Sequence, residues 1–271
     1  MTGDSGFGIP GWDVSGGDAE KTDAMSGEPE HAPLTLIVPV FNEHENFPLL
    51  IAEIEEHVPP PFRLVMTYDF DADTTVPVAR DLATTRPWLE LVRNDLGRGP
   101  ANAIRAGFEA VPSGPAVVVM SDLSDDLAVI PEMLRLYREG NRVVCPSRYM
   151  PGGRQLGGPW LKGLMSRTAG LSLYWLGRFP TRDATNNFRL YDAELVRELK
   201  IEATRGFEIA LELTAKAFAR GVPIAETPAT WRDRTAGESN FRLVESLPWY
   251  LRWYWFAFRA GWFGRSRREA E

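Results

Sequence analysis

The residues of this chain best suited to chemistry are the acids of Ser121-Asp122-Leu123-Ser124-Asp125-Asp126. They directly follow an apolar, β-branched run, Ala116-Val117-Val118-Val119-Met120, bounded by Gly114-Pro115, and they precede a helical pattern that begins near Ala128. A run of that kind reads as a buried parallel strand, and carboxylates at its C-terminal end stand where open α/β sheets bind their ligands. Carboxylate oxygens suit a hard divalent cation or, through it, a phosphate. The same acids also serve, with no ligand at all, as charges favourable to the N-terminus of the following helix.

The elements that must position this cluster alternate. Leu34 to Val40 reads as a strand, Glu45 to His57 as a helix with Leu49, Leu50 and Ile54 at helical spacing, and Arg63 to Thr67 as a second strand. Thr74 to Thr84 follows as helix, Leu89 to Val92 as strand and Pro100 to Ala110 as helix, before the strand that ends at Met120. This order predicts an α/β fold, a mainly parallel central sheet flanked by helices, whose strand ends converge on one site. Those ends are polar: Pro39, Asn42 and Glu43 after the first strand, Asp69, Asp71 and Asp73 after the second, Asn94, Gly97, Arg98 and Gly99 after the third. Each alone is explained as a turn or cap, Asp73 before Thr74 being a good N-cap candidate; four in succession favour a ligand site.

The ordered motifs resemble family 2 glycosyltransferases, in particular the branch typified by dolichyl-phosphate mannosyltransferases. The resemblance is carried by Val38-Pro39-Val40-Phe41-Asn42-Glu43, Asp69 to Thr75, Gly97-Arg98-Gly99-Pro100, Ile104 to Phe108, the acidic loop, Ser147-Arg148-Tyr149 with Gly152-Gly153, and finally Trp231, Arg234, Gly237-Glu238-Ser239 and Phe241. It spans about Leu34 to Arg242. It implies a GT-A fold with a Rossmann-like nucleotide-binding half, a nucleotide-diphosphate sugar donor (GDP- or UDP-sugar), and a divalent cation, Mg²⁺ or Mn²⁺. By position, Pro39 and Glu43 border the nucleoside, Asp69 contacts base or ribose, Asp71, Gly97, Arg98 and Arg234 complete the donor side, and Asp122 lies on the metal loop. The family commonly carries Asp-Asp in the second loop and Asp-any-Asp in the metal loop, where this chain has Tyr68-Asp69 and Ser121-Asp122-Leu123. A one-residue gap restores the register and leaves Ser124, Asp125 and Asp126 as candidates to share the metal with Asp122.

Positive charge comes later in the chain. Arg148, Arg154, Lys162 and Arg167 occur among glycines and near Ser147 and Ser166, a mixture of guanidinium forks, hydroxyls and backbone amides able to hold a phosphate. In the resembling family this region receives the phosphate of a polyprenyl phosphate, which assigns Ser147, Arg148, Lys162 and Arg167 to the acceptor; the alternative is a solvated basic face. A phosphate oxygen is already ionised near neutral pH, so its attack needs no base, whereas a hydroxyl acceptor does, and Asp183 is then the leading candidate. As an alternative, Asp183 caps a turn. Further on, Glu208 and Glu212 share one face of a helix that stops at Gly221, and Glu212 is assigned to a solvated stripe; Val222 to Trp231 reads as one strand.

Composition closes off other classes. The chain has 271 residues, 44% hydrophobic and 25% charged, enough for a full core. A net charge of -7 argues against nucleic acid as partner, and a single cysteine with three histidines argues against a disulfide or a zinc centre. Residues 1–32 read as a disordered leader without the basic start and apolar core of a secretory signal, residues 33–242 as the catalytic domain, and 243–271 as an aromatic, basic helix and tail. That tail, with Trp249, Trp253, Trp255, Trp262, Arg252 and Arg259, suits the membrane interface, or packing on the domain or on a second copy as a homo-oligomer. The expectation is an inverting sugar transferase at the cytoplasmic membrane face acting on a dolichyl or undecaprenyl type of phosphate. Two alternatives stay open: a hydroxyl acceptor, and a catalytically silent nucleotide-sugar scaffold.

Overall fold

Apolar residues on both sides of the central strands dictate a sheet covered on two faces. The structure, a computed structural model, describes residues 32–204, 206–233 and 243–263. The expected leader up to residue 31 and the motif residues Arg234, Gly237, Glu238, Ser239 and Phe241 lie outside the described residues. In chain order the elements are β1 (Leu34–Pro39), α1 (Asn46–His57), β2 (Phe62–Tyr68), α2 (Thr75–Ala83), β3 (Leu89–Arg93), α3 (Pro100–Glu109) and β4 (Pro115–Val118). They continue with α4 (Ile130–Arg138), β5 (Val143–Ser147), β6 (Arg154–Leu156), α5 (Trp160–Leu176), β7 (Arg189–Asp192), α6 (Ala193–Leu199), α7 (Ile209–Arg220), β8 (Ile224–Pro228), β9 (Thr230–Arg232) and α8 (Leu243–Phe263).

Seven strands form one sheet in the order β3-β2-β1-β4-β7-β5-β8. The period-two alternation of β1 sorts its side chains between two cores. Leu36 and Val38 pack with Leu50 and Ile54 of α1 and with Met66 of β2, while Ile37 turns to Ile104 and Phe108 of α3. β4 divides in the same way, Val117 to the first core, Ala116 and Val118 to the second. Each such buried Leu, Ile or Phe contributes about 1.5 to 3 kcal/mol, so every central strand is held from both sides.

The sheet is not wholly parallel, because β7 runs antiparallel to both β4 and β5. The reason is topological: β5, β6 and α5 leave the chain at the edge where the parallel strands end, so the next strand starts there and runs back. Consequently residues 181–188, which precede β7, arrive at the same edge as the C-terminal ends of β4 and β5. The single strand expected from Val222 to Trp231 is two. β8 pairs with β5 and ends at Pro228, which has no N–H for a ladder, and after Ala229 the chain enters a second, two-stranded sheet as β9 beside β6.

The assignment of Glu212 to a solvated stripe is corrected: it is fully buried. Its carboxylate accepts hydrogen bonds from the backbone N–H groups of Glu202 and Ala203 (2.6 and 2.7 Å) and from Lys216 Nζ (2.6 Å), because the loop after α6 folds over this face of α7. The α7 stop follows expectation, with Gly221 in the left-handed conformation (φ 71°). α8 lays Trp253 and Ala257 against Leu173 of α5 and Leu211 and Ala215 of α7. Its opposite side stays exposed, as do Trp160 and Trp175 of α5. No described helix is long and apolar enough to cross a membrane.

Candidate active site

The loops after β1, β2 and β3 are knitted together by their own polar side chains. Asn42, at φ 57°, donates its N–H to Asp73 Oδ2 (3.0 Å) and accepts from Thr74 N at Oδ1 (3.2 Å), while Glu43 N donates to Thr75 Oγ1 (2.8 Å). Asp73 also accepts from Thr75 N (2.8 Å), so it works both as the cap of α2 and as a tie to the first loop. Asp69 fastens the third loop: Oδ1 accepts from Asn94 Nδ2 (2.7 Å) and Oδ2 from Gly99 N (2.8 Å). Gly99 adopts φ 122°, a conformation closed to other residues, directly before Pro100 opens α3. Above this floor Phe41 and Phe70 meet edge to face at 5.8 Å, and Arg98 lies over the Phe70 ring at 5.1 Å.

The acidic loop hangs from β4. Ser121 Oγ donates to the Pro39 carbonyl (3.2 Å), Leu123 takes φ 59°, and Ser124 N donates to Asp122 Oδ1 (3.2 Å). Asp125 turns back toward the strand, accepting from Met120 N (3.1 Å). It sits in a recess, keeping some accessible surface while surrounded by protein. Burial, then the neighbouring Asp122 charge, pushes its carboxyl up to about 8. Asp126 precedes the short 3₁₀ turn Leu127–Val129 without a capping side-chain bond. Two oxygen-donor side chains crowded together suit a hard divalent cation, whose charge would offset their mutual repulsion. Among the described residues no three His, Cys, Asp or Glu side chains converge as a metal-holding group, at this loop or elsewhere, so a cation here would draw its remaining ligands from the substrate.

Across from this loop stands Arg148, at the end of β5. Its Nε and Nη2 donate to Asp183 Oδ2 (2.6 Å) and Oδ1 (2.8 Å), a bidentate pair with 11% of the Arg148 side chain and none of Asp183 exposed. Burial disfavours the Asp183 charge, but Arg148 outweighs it and holds the carboxyl below its ordinary value. Nη2 also donates to Ser166 Oγ (3.1 Å), and the Tyr149 and Trp231 rings lie 4.9 and 6.0 Å from the guanidinium. Arg148 lines a cavity of about 430 Å³ whose wall includes Arg154, Arg167, Gln155 and, at the apolar start of α5, Trp160 and Leu164. The small β6–β9 sheet bounds it, and Arg232 N donates to Ser124 O (3.0 Å), tying that sheet to the acidic loop.

The structure therefore brings together Asp122 with Asp125 and Arg148 with Arg167. Lys162 and Ser147 do not line the cavity; Ser147 is fully buried, its Oγ accepting from the N–H groups of Tyr149 (3.4 Å) and Met150 (3.3 Å). Asp71 pairs with Arg93 at 3.6 Å on the rim, and Arg234 lies outside the described residues. Asp183 is enclosed, and both of its carboxylate oxygens are engaged by Arg148. Sequence reasoning gave no role to Phe70, Tyr149, Thr185 or Trp231. An aromatic beside an arginine at the end of a strand was the available signal.

Comparison with known proteins agrees with this geometry. The pattern of glycosyl transferase family 2 matches residues 35–200. The polyprenol monophosphomannose synthase of Mycolicibacterium smegmatis is 28% identical over 211 residues, covering 76% of this chain and 79% of that protein. The undecaprenyl-phosphate mannosyltransferase of Micrococcus luteus is 27% identical over 236 residues, covering 83% and 96%. The fold is also that of glucosyl-3-phosphoglycerate synthase from Mycobacterium tuberculosis, crystallised with Mn²⁺, UDP and glucosyl-3-phosphoglycerate (TM-score 0.59, 16% identity, 84% of this chain and 79% of that one). A matched segment that runs from β1 to the end of α6, with an acidic loop and a knitted set of strand-end loops inside it, places the chain in glycosyl transferase family 2.

Proposed function

We propose that this protein transfers a sugar, with inversion, from a nucleotide-diphosphate sugar to a polyprenyl phosphate at a membrane surface. The observation that carries the reading is the cavity beside the acidic loop, which joins three arginines to an apolar mouth at Trp160 and Leu164. An amphipathic phosphate asks for that combination: guanidinium forks for the head, apolar surface for the first isoprene units. The names of both relatives carry the same acceptor class and mannose as the sugar.

In the proposed reaction an acceptor phosphate oxygen attacks the anomeric carbon, the new C–O bond forms, and the bond to the nucleoside diphosphate breaks with its electron pair. Arg148, Arg154 and Arg167 hold the acceptor's charge and orient it, and no proton has to be removed. The Phe41–Phe70 ledge offers the donor's base an apolar face, and the knitted loops keep water from the sugar side. A divalent cation, Mg²⁺ or Mn²⁺, held by Asp122 and Asp125 would offset the charge that builds on the departing diphosphate. For docking, Trp160 (77% exposed) and Trp175 (71%) of α5 and Trp262 and Phe263 of α8 supply rings suited to the headgroup region.

Purified protein incubated with Mg²⁺ or Mn²⁺, GDP-mannose or UDP-glucose, and a short-chain isoprenyl phosphate is expected to yield a glycosyl phospholipid, read by mass. Absence of product with every donor, under conditions where nucleotide binding is measured, would sink the reading. Co-sedimentation with anionic lipid vesicles tests the docking part separately; protein that stays in the supernatant removes it.

A further inference from the structure

Asp183 moves no proton in the proposed transfer, yet its carboxylate is closely held. Its carboxylate accepts three hydrogen bonds from one residue: Arg148 Nε (2.6 Å), Nη2 (2.8 Å) and the backbone N–H (3.1 Å). The arginine is thus held at both ends, main chain and guanidinium, by a single anion. Asp183 is fixed in turn by its own backbone, whose N–H donates to Thr181 Oγ1 (3.0 Å) and whose carbonyl accepts from the buried Arg189 Nη2 (2.7 Å). Ser166 and Thr185 share the one outer hydrogen of Nη2, at 3.1 and 3.4 Å, and are joined to each other by a bond of 2.6 Å.

We propose that Asp183 is a positioning residue: it aims the Arg148 guanidinium at the acceptor phosphate and takes no proton itself. With the Nε–Nη2 edge committed to Asp183, Nη1 is the nitrogen of this guanidinium without a hydrogen bond among the described residues, and Arg148 is part of the cavity wall. A planar fork held along one edge presents its remaining donors in a fixed direction, which is how arginine confers geometric specificity on a phosphate. The full enclosure of the Asp183 side chain removes any route by which an acceptor proton could reach it. This inference rests on the polyprenyl-phosphate reading above, and it names the residue that sets the acceptor's position within that reading.

The test uses the full chain with GDP-mannose and a short-chain isoprenyl phosphate. Asp183→Asn is expected to raise the acceptor KM about 10-fold or more while kcat and the donor KM move less than about twofold, and Asp183→Glu to fall between it and the wild type. The pH profile of kcat/KM should keep its shape in both variants, and Asp183→Asn combined with Arg148→Lys should be no worse than Arg148→Lys alone. A collapse of kcat at unchanged acceptor KM, with loss of the acid limb of the profile, would make Asp183 a base and overturn the proposal; so would an additive double variant. Should Asp183→Asn fail to fold, Asp183→Glu is read by the same criteria. If the wild type transfers to no isoprenyl phosphate, the functional reading fails and inorganic phosphate decides the positioning claim separately: binding followed by tryptophan fluorescence should weaken about 10-fold in Asp183→Asn, and equal binding overturns it.

Discussion

The two walls of the site are built on opposite electrostatic plans. On the acidic loop, Asp122 and Asp125 crowd like charges and the Asp125 carboxyl is pushed up to about 8. On the facing wall, Arg148 and Asp183 close on each other in a bidentate pair and neither needs a ligand to be satisfied. The difference teaches which wall waits for a ligand to balance it. A loop of crowded like charges is relieved by a cation and whatever that cation carries; the closed Arg148–Asp183 pair offers direction, and the net charge that holds an acceptor phosphate comes from Arg154 and Arg167 beside it.

The comparison is broken most forcefully at Arg148. Arg148→Met leaves Asp183 buried without its partner and should cost about 3 to 5 kcal/mol in urea unfolding, the range for stripping one member from a buried ion pair. A cost below about 1 kcal/mol would mean the closed wall is an ordinary surface. Next comes Asp122→Ala, expected to lower metal-dependent transfer by about 100-fold or more at unchanged fold, as loss of transition-state charge stabilisation does. Retained metal dependence would move the ligand role along the loop to Asp125 or Asp126. A smaller effect is pH-dependent. The unfolded aspartate titrates near 3.9, so between about pH 4 and 8 the native state keeps on Asp125 a proton that the unfolded chain has released. Stability without metal should therefore fall as pH rises through that window and level off above it. Asp125→Asn should flatten the curve, as should added Mn²⁺; thermal midpoints measured with chelator at several pH values decide it.

The smallest effect lies on a second closed network, away from both walls. Glu212→Gln leaves one acceptor oxygen where the carboxylate had two, so it keeps the bond from Glu202 N or from Ala203 N but not both, and should cost about 1.5 to 3 kcal/mol, the range for a hydrogen bond to a charged group. Loss of transfer without loss of stability would tie that network to the chemistry.

The first half of the fold was legible because its signals are local. β1 to α3 fall within a residue or two of the pattern, since apolar runs, a capping Asp73 and the Gly99-Pro100 pair act on their own neighbours. The second half is governed by contacts distant in sequence. Nothing near Arg189 marks β7 as reversed; its direction follows from where α5 leaves the chain. Glu212 reads as polar in any window, and only the loop after α6 folding over it explains its burial. Likewise Arg148 was found by motif, but its partner lies 35 positions on, and no spacing rule connects them. Pro228, with no N–H to donate, is a local reason for β8 to end where it does.

The hydrogen bond from Arg232 N to Ser124 O crosses 108 positions to join the β6–β9 sheet to the acidic loop. Its proton is a gauge. Whenever that small sheet lifts from the loop, the Arg232 amide meets water and trades hydrogen for deuterium; while the sheet stays down, it does not. One peptide covering residue 232 thus reports in minutes-to-hours labelling how often the roof of the cavity opens, and a donor or cation that stills the loop below should be heard there as a slower clock.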